Sequence, residues 1–304
     1  MGYGLLHKNL LLKLLNRFVE VCDNNHLQYF LAGGTALGAV RHKGMIPWDD
    51  DIDVFMPRNE YEKLQELPPS TWGEGYRLGS WKTIKNYPYD FLKLELLNTT
   101  LIERIHPDYV GFVFLDIFPI DRFPNDAGFI HGIESDLKKV YSHFIECTIK
   151  HDSDCKSVME LVTLHIKRAL YNHRKCMEEL EGIAMRGKDT GELMCDFHNY
   201  FYCHGGWSSA YFEKSVQMEF EGKTYSIAVN WDGYLRHLYG EYMIPPPIEN
   251  RKGHGFDFIN YDRRLTPAEI KRELRIIHKK YRYRFSLKRE IKIILGANKH
   301  NSKP

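Results

Sequence analysis

"LAGGTALGAVRHKGMIPWDDDIDVFM", residues 31–56, sets Gly33 and Gly34 ahead of Arg41 and then packs Asp49, Asp50, Asp51 and Asp53 into five positions. The last aspartates run straight into a β-branched and aromatic stretch, which reads as a strand. Alternate strand residues share a face, so Asp51 and Asp53 point the same way while Ile52 and Val54 point into the core. Two carboxylates this close repel, and a hard divalent cation between them relieves the repulsion. The glycines end a short strand, "QYFLAG", and open a helix that Thr35 is placed to cap. Backbone N–H groups at such a helix start bind phosphate. An acidic turn with solvated aspartates is the ordinary fate of this composition. The glycine turn and the strand-bound pair together favour a cation and phosphate site.

A firm cation site needs a third oxygen ligand. "GFVFLDIFPID", residues 111–121, carries Asp116 inside an otherwise apolar strand, where a lone carboxylate is costly unless paired or metal-bound. Pro119 is expected to end that strand and to leave Asp121 in a turn. Glu95, on "DFLKLELL", competes for the third place, but it shares a face with Lys93 and reads equally well as part of a surface charge arrangement.

Around this centre, Leu5 to Asn25 reads as an amphipathic helix and "RNEYEKLQEL" as a second, stopped by Pro68 and Pro69. Residues 128–206 turn helical. "MEFEGKTYSIAV" reads as a hairpin turning at Gly222 and Lys223, and "NWDGYLRHLYG" as a short helix closed by Gly240. Thr266-Pro-Ala-Glu269 opens a last helix with a cap, a proline and a glutamate three on. The expected class is α+β, a small mixed sheet flanked by helices. The chain divides into a core at 1–127, a helical subdomain at 128–210, a returning segment at 211–262 and a basic amphipathic tail at 263–304.

The first block, continued as "PRNEYEKL", resembles the LicD family of phosphocholine transferases, which have a nucleotidyltransferase-like fold and are akin to the fukutin-related proteins. "GFVFLDIFPIDRFP", "FEKSVQMEFEGKTYSIAVN" and "YLRHLYGEYMIPPPIENRKGH" continue the resemblance in order, so that it covers most of residues 5–255. It implies transfer of a phosphoalcohol from a CDP-activated donor to a glycan hydroxyl, with release of CMP. It implies Asp51, Asp53 and Asp116 as the metal-binding and catalytic carboxylates for Mg²⁺ or Mn²⁺, and Gly33, Gly34 and Thr35 as the donor-phosphate turn. Arg41 falls on a basic position between the two halves of the block. Such chemistry needs positioning and positive charge on phosphate oxygens. Asp116 is also placed to accept the acceptor's proton. Arg41 or Lys93 is placed to stabilise leaving CMP, and Arg251 and His254 to reach the same phosphates. Choline would favour aromatic faces, for which Trp48, Trp81, Tyr87, Tyr89 and Phe91 are the nearest in sequence; ethanolamine, ribitol, glycerol and aminoethylphosphonate remain open. The rival activities are nucleotide transfer from an NTP and non-catalytic glycan or membrane binding on the same fold.

Other features bear on partners and location. Residues 263–304 hold fourteen Lys and Arg against three Glu, so a tail of +11 sits on a body of −9. A basic amphipathic helix of this kind suits the inner leaflet of a membrane or docking on the acidic body. No nucleic-acid module accompanies the charge, so no nucleic acid is expected as partner. No apolar run approaches the ~18 residues of a spanning helix. The N-terminus lacks a signal cleavage site. The expected location is cytoplasmic, peripheral to the inner membrane face where the tail engages it. Six cysteines without a CxxC pair read as reduced core thiols. Cys195, His198, Cys203 and His204 are chemically able to bind zinc, but their spacing is not that of a finger.

Overall fold

The computed structural model describes residues 4–106, 108–203, 205–284 and 286. The first half runs α1 (Leu5–Asn24), β1 (Phe30–Leu31), α2 (Gly33–His42), β2 (Asp53–Pro57), α3 (Arg58–Glu66), β3 (Tyr76–Gly79), β4 (Leu92–Glu103) and β5 (Gly111–Phe123). Helices α4 (Ala127–Phe144), α5 (Val158–Leu170) and α6 (His173–Ala184) follow, then β6 (Leu193–Cys195) and β7 (Trp207–Ser208). The chain ends in β8 (Ser215–Phe220), β9 (Lys223–Ala228), α7 (Trp231–Tyr239), β10 (Phe256–Asn260) and α8 (Pro267–Tyr281). Ten strands and eight α-helices are thus present among the described residues.

One mixed sheet has the order β1-β2-β5-β4-β10, with β3 on β4 and β6 joining β5 to β7. β2 and β5 are parallel, and β4 is antiparallel to β5. β5 reads as a nearly continuous apolar run because it is central and covered on both faces. α1 buries Leu11, Leu14, Leu15, Phe18, Val21 and Cys22, the stripe its 3.6-residue period provides. The architecture is the α+β, nucleotidyltransferase-like arrangement that the sequence predicts, with a helical insertion between β5 and β6. The Thr266 capping box and the proline of α8 also form as read.

Four local expectations are corrected. Thr35 does not cap α2. The helix begins at Gly33, whose φ of +47° makes the sharp turn. Thr35 instead lies buried in the first turn, where its hydroxyl accepts the Asp53 N–H at 2.9 Å. Pro119 does not end β5. The Asp116 N–H points toward β2, bonding Ile52, so three residues on the missing proline donor faces the β4 side, where pairing has stopped at Leu92–Ile117. Asp121 is therefore a strand residue, buried in a two-bonded pair with Arg58 at 2.6 and 2.7 Å. The β8–β9 hairpin turns on Glu221 and Gly222, both with positive φ, one residue earlier than read.

Residues 287–304 of the basic tail and His204 lie outside the described residues. No helix among the described residues is long and apolar enough to cross a membrane.

Candidate active site

Strand register builds the site. Asp53 on β2 pairs with Asp116 on β5, and Asp116 pairs with Lys93 on β4. Three ionisable side chains thus stand in one row across three adjacent strands. Asp51 lies just before β2 and joins them. Asp51, Asp53 and Asp116 each offer an oxygen, and these atoms lie within 4.8 Å of one another. Ile52 and Val54 are fully buried, as strand parity requires. Lys93 is 2% exposed, its Nζ 2.8 Å from Asp116 Oδ1 and 3.4 Å from Glu103 Oε2. Its ammonium also lies over the rings of Phe114 and Tyr89, at 3.2 and 4.1 Å. The row forms the floor of a cavity of about 720 Å³.

Crowding governs the electrostatics. Burial, then Asp51 and Asp116, push Asp53 well above the usual carboxylate range. Burial likewise raises Asp116 to about 7, with Lys93 opposing it. Burial and Asp51 raise Asp49 to about 8. His254 supplies one counter-charge: its Nδ1 lies 2.9 Å from Asp51 and 3.4 Å from Asp50, and these contacts raise the imidazole to about 12. An all-oxygen donor set short of positive charge suits a hard divalent ion, Mg²⁺ or Mn²⁺, better than a soft one. A stability prediction follows from the signs. These carboxyls hold protons more tightly folded than unfolded, so the native state binds the excess protons and stability falls as pH rises. Without divalent ions, the melting temperature is expected to fall from about pH 5 to about pH 8, while Mg²⁺ flattens the decline by replacing the lost protons. Parallel melting curves with and without Mg²⁺ would contradict it.

The loop before β2 is fixed from outside. Asp50 is buried and accepts the backbone N–H groups of His254 and Gly255 at 3.1 and 2.9 Å, and His7 of α1 bonds its carbonyl at 2.8 Å. Asp50 therefore clamps the returning segment, and its neighbours Asp49 and Asp51 are left facing the cavity. A Cβ on Gly34 would lie 2.7 Å from Asp49 Oδ2, so the Asp49 carboxylate would have to shift to admit one. The Gly33 N–H donates to Tyr234 at 3.0 Å, which ties α2 to α7.

The remaining predicted residues divide. Arg41 lines the cavity and bonds the Tyr242 carbonyl at 2.6 Å. Arg251 bonds the Pro246 carbonyl and lies 4.8 Å over Trp48, and this segment presents Lys252 and His254, rather than Arg251, to the cavity. Trp48, Tyr89 and Phe91 line the cavity, whereas Tyr87 is buried in the core. Glu95 is held by Arg77 at 2.6 Å and does not join the cluster. Sequence reasoning missed Glu103, Lys252, Tyr202 and Tyr239, which reach the cavity from distant segments with no local signature. Cys195, His198 and Cys203 do not form a ligand set among the described residues.

Residues 26–131 match the family model described as LicD/FKTN/FKRP, nucleotidyltransferase domain, a span that holds all three carboxylates. The chain is 28% identical to the lipopolysaccharide cholinephosphotransferase LicD of Haemophilus influenzae over 253 residues, which is 80% of this chain and 92% of that protein. An uncharacterized protein of Rickettsia typhi is 37% identical over 38% of this chain and 34% of its own length. A second, of Rickettsia prowazekii, is 28% identical over 40% of this chain and 43% of its own. The carboxylate row lies inside the stretch that matches the LicD/FKTN/FKRP nucleotidyltransferase domain, and the likeness to the lipopolysaccharide cholinephosphotransferase LicD runs along most of the chain.

Proposed function

We propose that the protein transfers a phosphoalcohol, phosphocholine first among the candidates, from a CDP-linked donor to a hydroxyl of a cell-surface glycan or its lipid-linked precursor, releasing CMP. The observation that carries this reading is the row of Asp53, Asp116 and Lys93, with Asp51 beside it, on the floor of a cavity sized for a nucleotide. The cholinephosphotransferase name of the Haemophilus influenzae relative supports the donor alcohol and a lipopolysaccharide-type acceptor. Asp51, Asp53 and Asp116 would hold Mg²⁺ or Mn²⁺, which when bound neutralises charge on the diphosphate. The backbone at Gly34 and Thr35 opens α2 toward the same oxygens. Arg41 and Lys252 add positive charge to the cavity wall. Lys93 is committed to Asp116 and Glu103, so its part is to hold Asp116 rather than to meet CMP. Tyr89 and Phe91 already face the Lys93 ammonium. Tyr202 and Tyr239 are therefore the aromatic faces assigned to a quaternary ammonium. The reaction is placed at the cytoplasmic membrane face, with the basic tail as the peripheral contact.

A panel of CDP-choline, CDP-ethanolamine, CDP-ribitol and CDP-glycerol, incubated with Mg²⁺ and a glycan acceptor, tests the reading. Acceptor-dependent CMP release, greatest with CDP-choline, is expected. Pyrophosphate release from an NTP, with no CMP from any CDP donor, would establish nucleotide transfer instead.

A further inference from the structure

His198 sits on the turn that leads from β6 into the cavity wall. Its ring stacks on Phe118, with centroids 5.7 Å apart and planes at 29°, and meets Phe91 edge-on at 4.7 Å. Phe118 is two residues past Asp116 on β5, and Phe91 is two before Lys93. Both rings therefore share the face of the carboxylate row, about 6.6 Å farther along the strands. The imidazole lies over the next step of that face and lines the same cavity as Asp51, Asp53 and Asp116.

The ring is oriented from behind. Nδ1 bonds the carboxylate of Asp90, whose other oxygen accepts the Tyr141 hydroxyl at 3.2 Å. Asp196 accepts the His198 backbone N–H at 2.9 Å. Nε2 makes no hydrogen bond among the described residues, and the side chain keeps 27% of its surface. A carboxylate on one nitrogen, with the opposite nitrogen offered to a cavity, is the geometry of a base held in one tautomer. Asp116 is the competing base, but it is engaged by Lys93 and the other two carboxylates.

We propose that His198, oriented by Asp90, is the general base that deprotonates the acceptor hydroxyl; this rests on the transfer reading above. Nε2 takes the hydroxyl proton as the acceptor oxygen bonds to the phosphorus that carries the alcohol. The bond from that phosphorus to the bridging oxygen breaks, and its electron pair leaves with CMP. Asp90 balances the imidazolium, which then returns its proton to solvent.

The groups that face His198 are Asp90 from the segment before β4, Tyr141 from α4, Asp196 from its own turn, Asp116 from β5 and His106 from the loop after β4. Burial disfavours the charged ring, but Asp90 and Asp196 outweigh it and raise the imidazole above its ordinary 6.5. A base must be neutral, so turnover should rise with pH and level off above that value.

The test compares wild type, His198→Asn, Asp90→Asn and the double variant, using whichever CDP-linked donor the panel selects. His198→Asn is expected to lower kcat by about 10²–10⁴-fold, with donor KM changed only a few-fold. The rising acid limb of log kcat against pH should vanish in its residual activity, and Asp90→Asn should move that limb to lower pH. The double variant leaves no lone buried charge, so it serves as the folded comparator, checked by thermal melting. Retention of kcat within about three-fold, a change in KM alone, or wild-type turnover that falls across the same pH range would each overturn the proposal. If wild type turns over no CDP donor, the transfer reading fails by itself. Diethylpyrocarbonate labelling with peptide mapping then decides the geometry: modification at His198 supports an Nε2 offered to the cavity, and its absence overturns it.

Discussion

Asp53→Asn is expected to cut turnover on the order of 10³-fold or more while leaving the metal-free protein as stable as wild type, or more stable. The two effects have one cause. Asp53 is pressed by Asp51, Asp116 and Asp49 in a buried setting, so its charge opposes folding unless a cation answers it. Asparagine keeps the shape and the backbone N–H that bonds Thr35, and removes only the charge. Repulsion falls, and so does the affinity of the site for a divalent ion. Melting curves in chelator and in Mg²⁺ should separate these. The wild type should gain stability from Mg²⁺ and the variant should gain little. A variant that keeps both its turnover and its Mg²⁺-dependent rise in melting temperature would remove Asp53 from the site.

The placement of that residue was legible because its signals are local. Strand parity orders Asp51, Ile52, Asp53 and Val54 by face, and a carboxylate inside an apolar strand marks Asp116 without any knowledge of the fold. The parallel register of β2 on β5, which makes them neighbours, has no local signal. Asp121 shows where local reading fails: Pro119 looks like a strand end, and only the absence of a β4 partner beyond Leu92 makes its missing donor harmless. His254 was legible as a charge in a loop, but its partners Asp50 and Asp51 lie about two hundred positions away. His198 drew notice as a thiol-flanked histidine and proved to belong with Asp90, more than a hundred residues upstream. Contacts of that range depend on sheet order and on the insertion between β5 and β6, and these are properties of the packed chain.

Lys93→Met is expected to destabilise the metal-free protein by about 3–5 kcal/mol, a fall in melting temperature on the order of 10 °C. Methionine fills the same volume against Phe114 and Tyr89, so packing is nearly conserved. What is lost is the counter-charge. Asp116 and Glu103 both lie against the ammonium in a buried pocket, and its removal strands two carboxylates at once. The raised basicity of Lys93, against the burial that opposes it, has the same origin. This gives a way to tell its two possible parts in catalysis apart. A lysine that met the leaving phosphate would be missed at every Mg²⁺ concentration. A lysine that holds Asp116 in place would be partly replaced by the cation, because an Mg²⁺ ion held by Asp51, Asp53 and Asp116, as proposed, would supply charge to the same carboxylate. Turnover and melting temperature of Lys93→Met should therefore both recover as Mg²⁺ is raised, and by more than in wild type. Recovery of stability without turnover would assign Lys93 to the phosphate. A melting temperature within about 2 °C of wild type in chelator would show that the buried ion pair is not what holds β4 against β5.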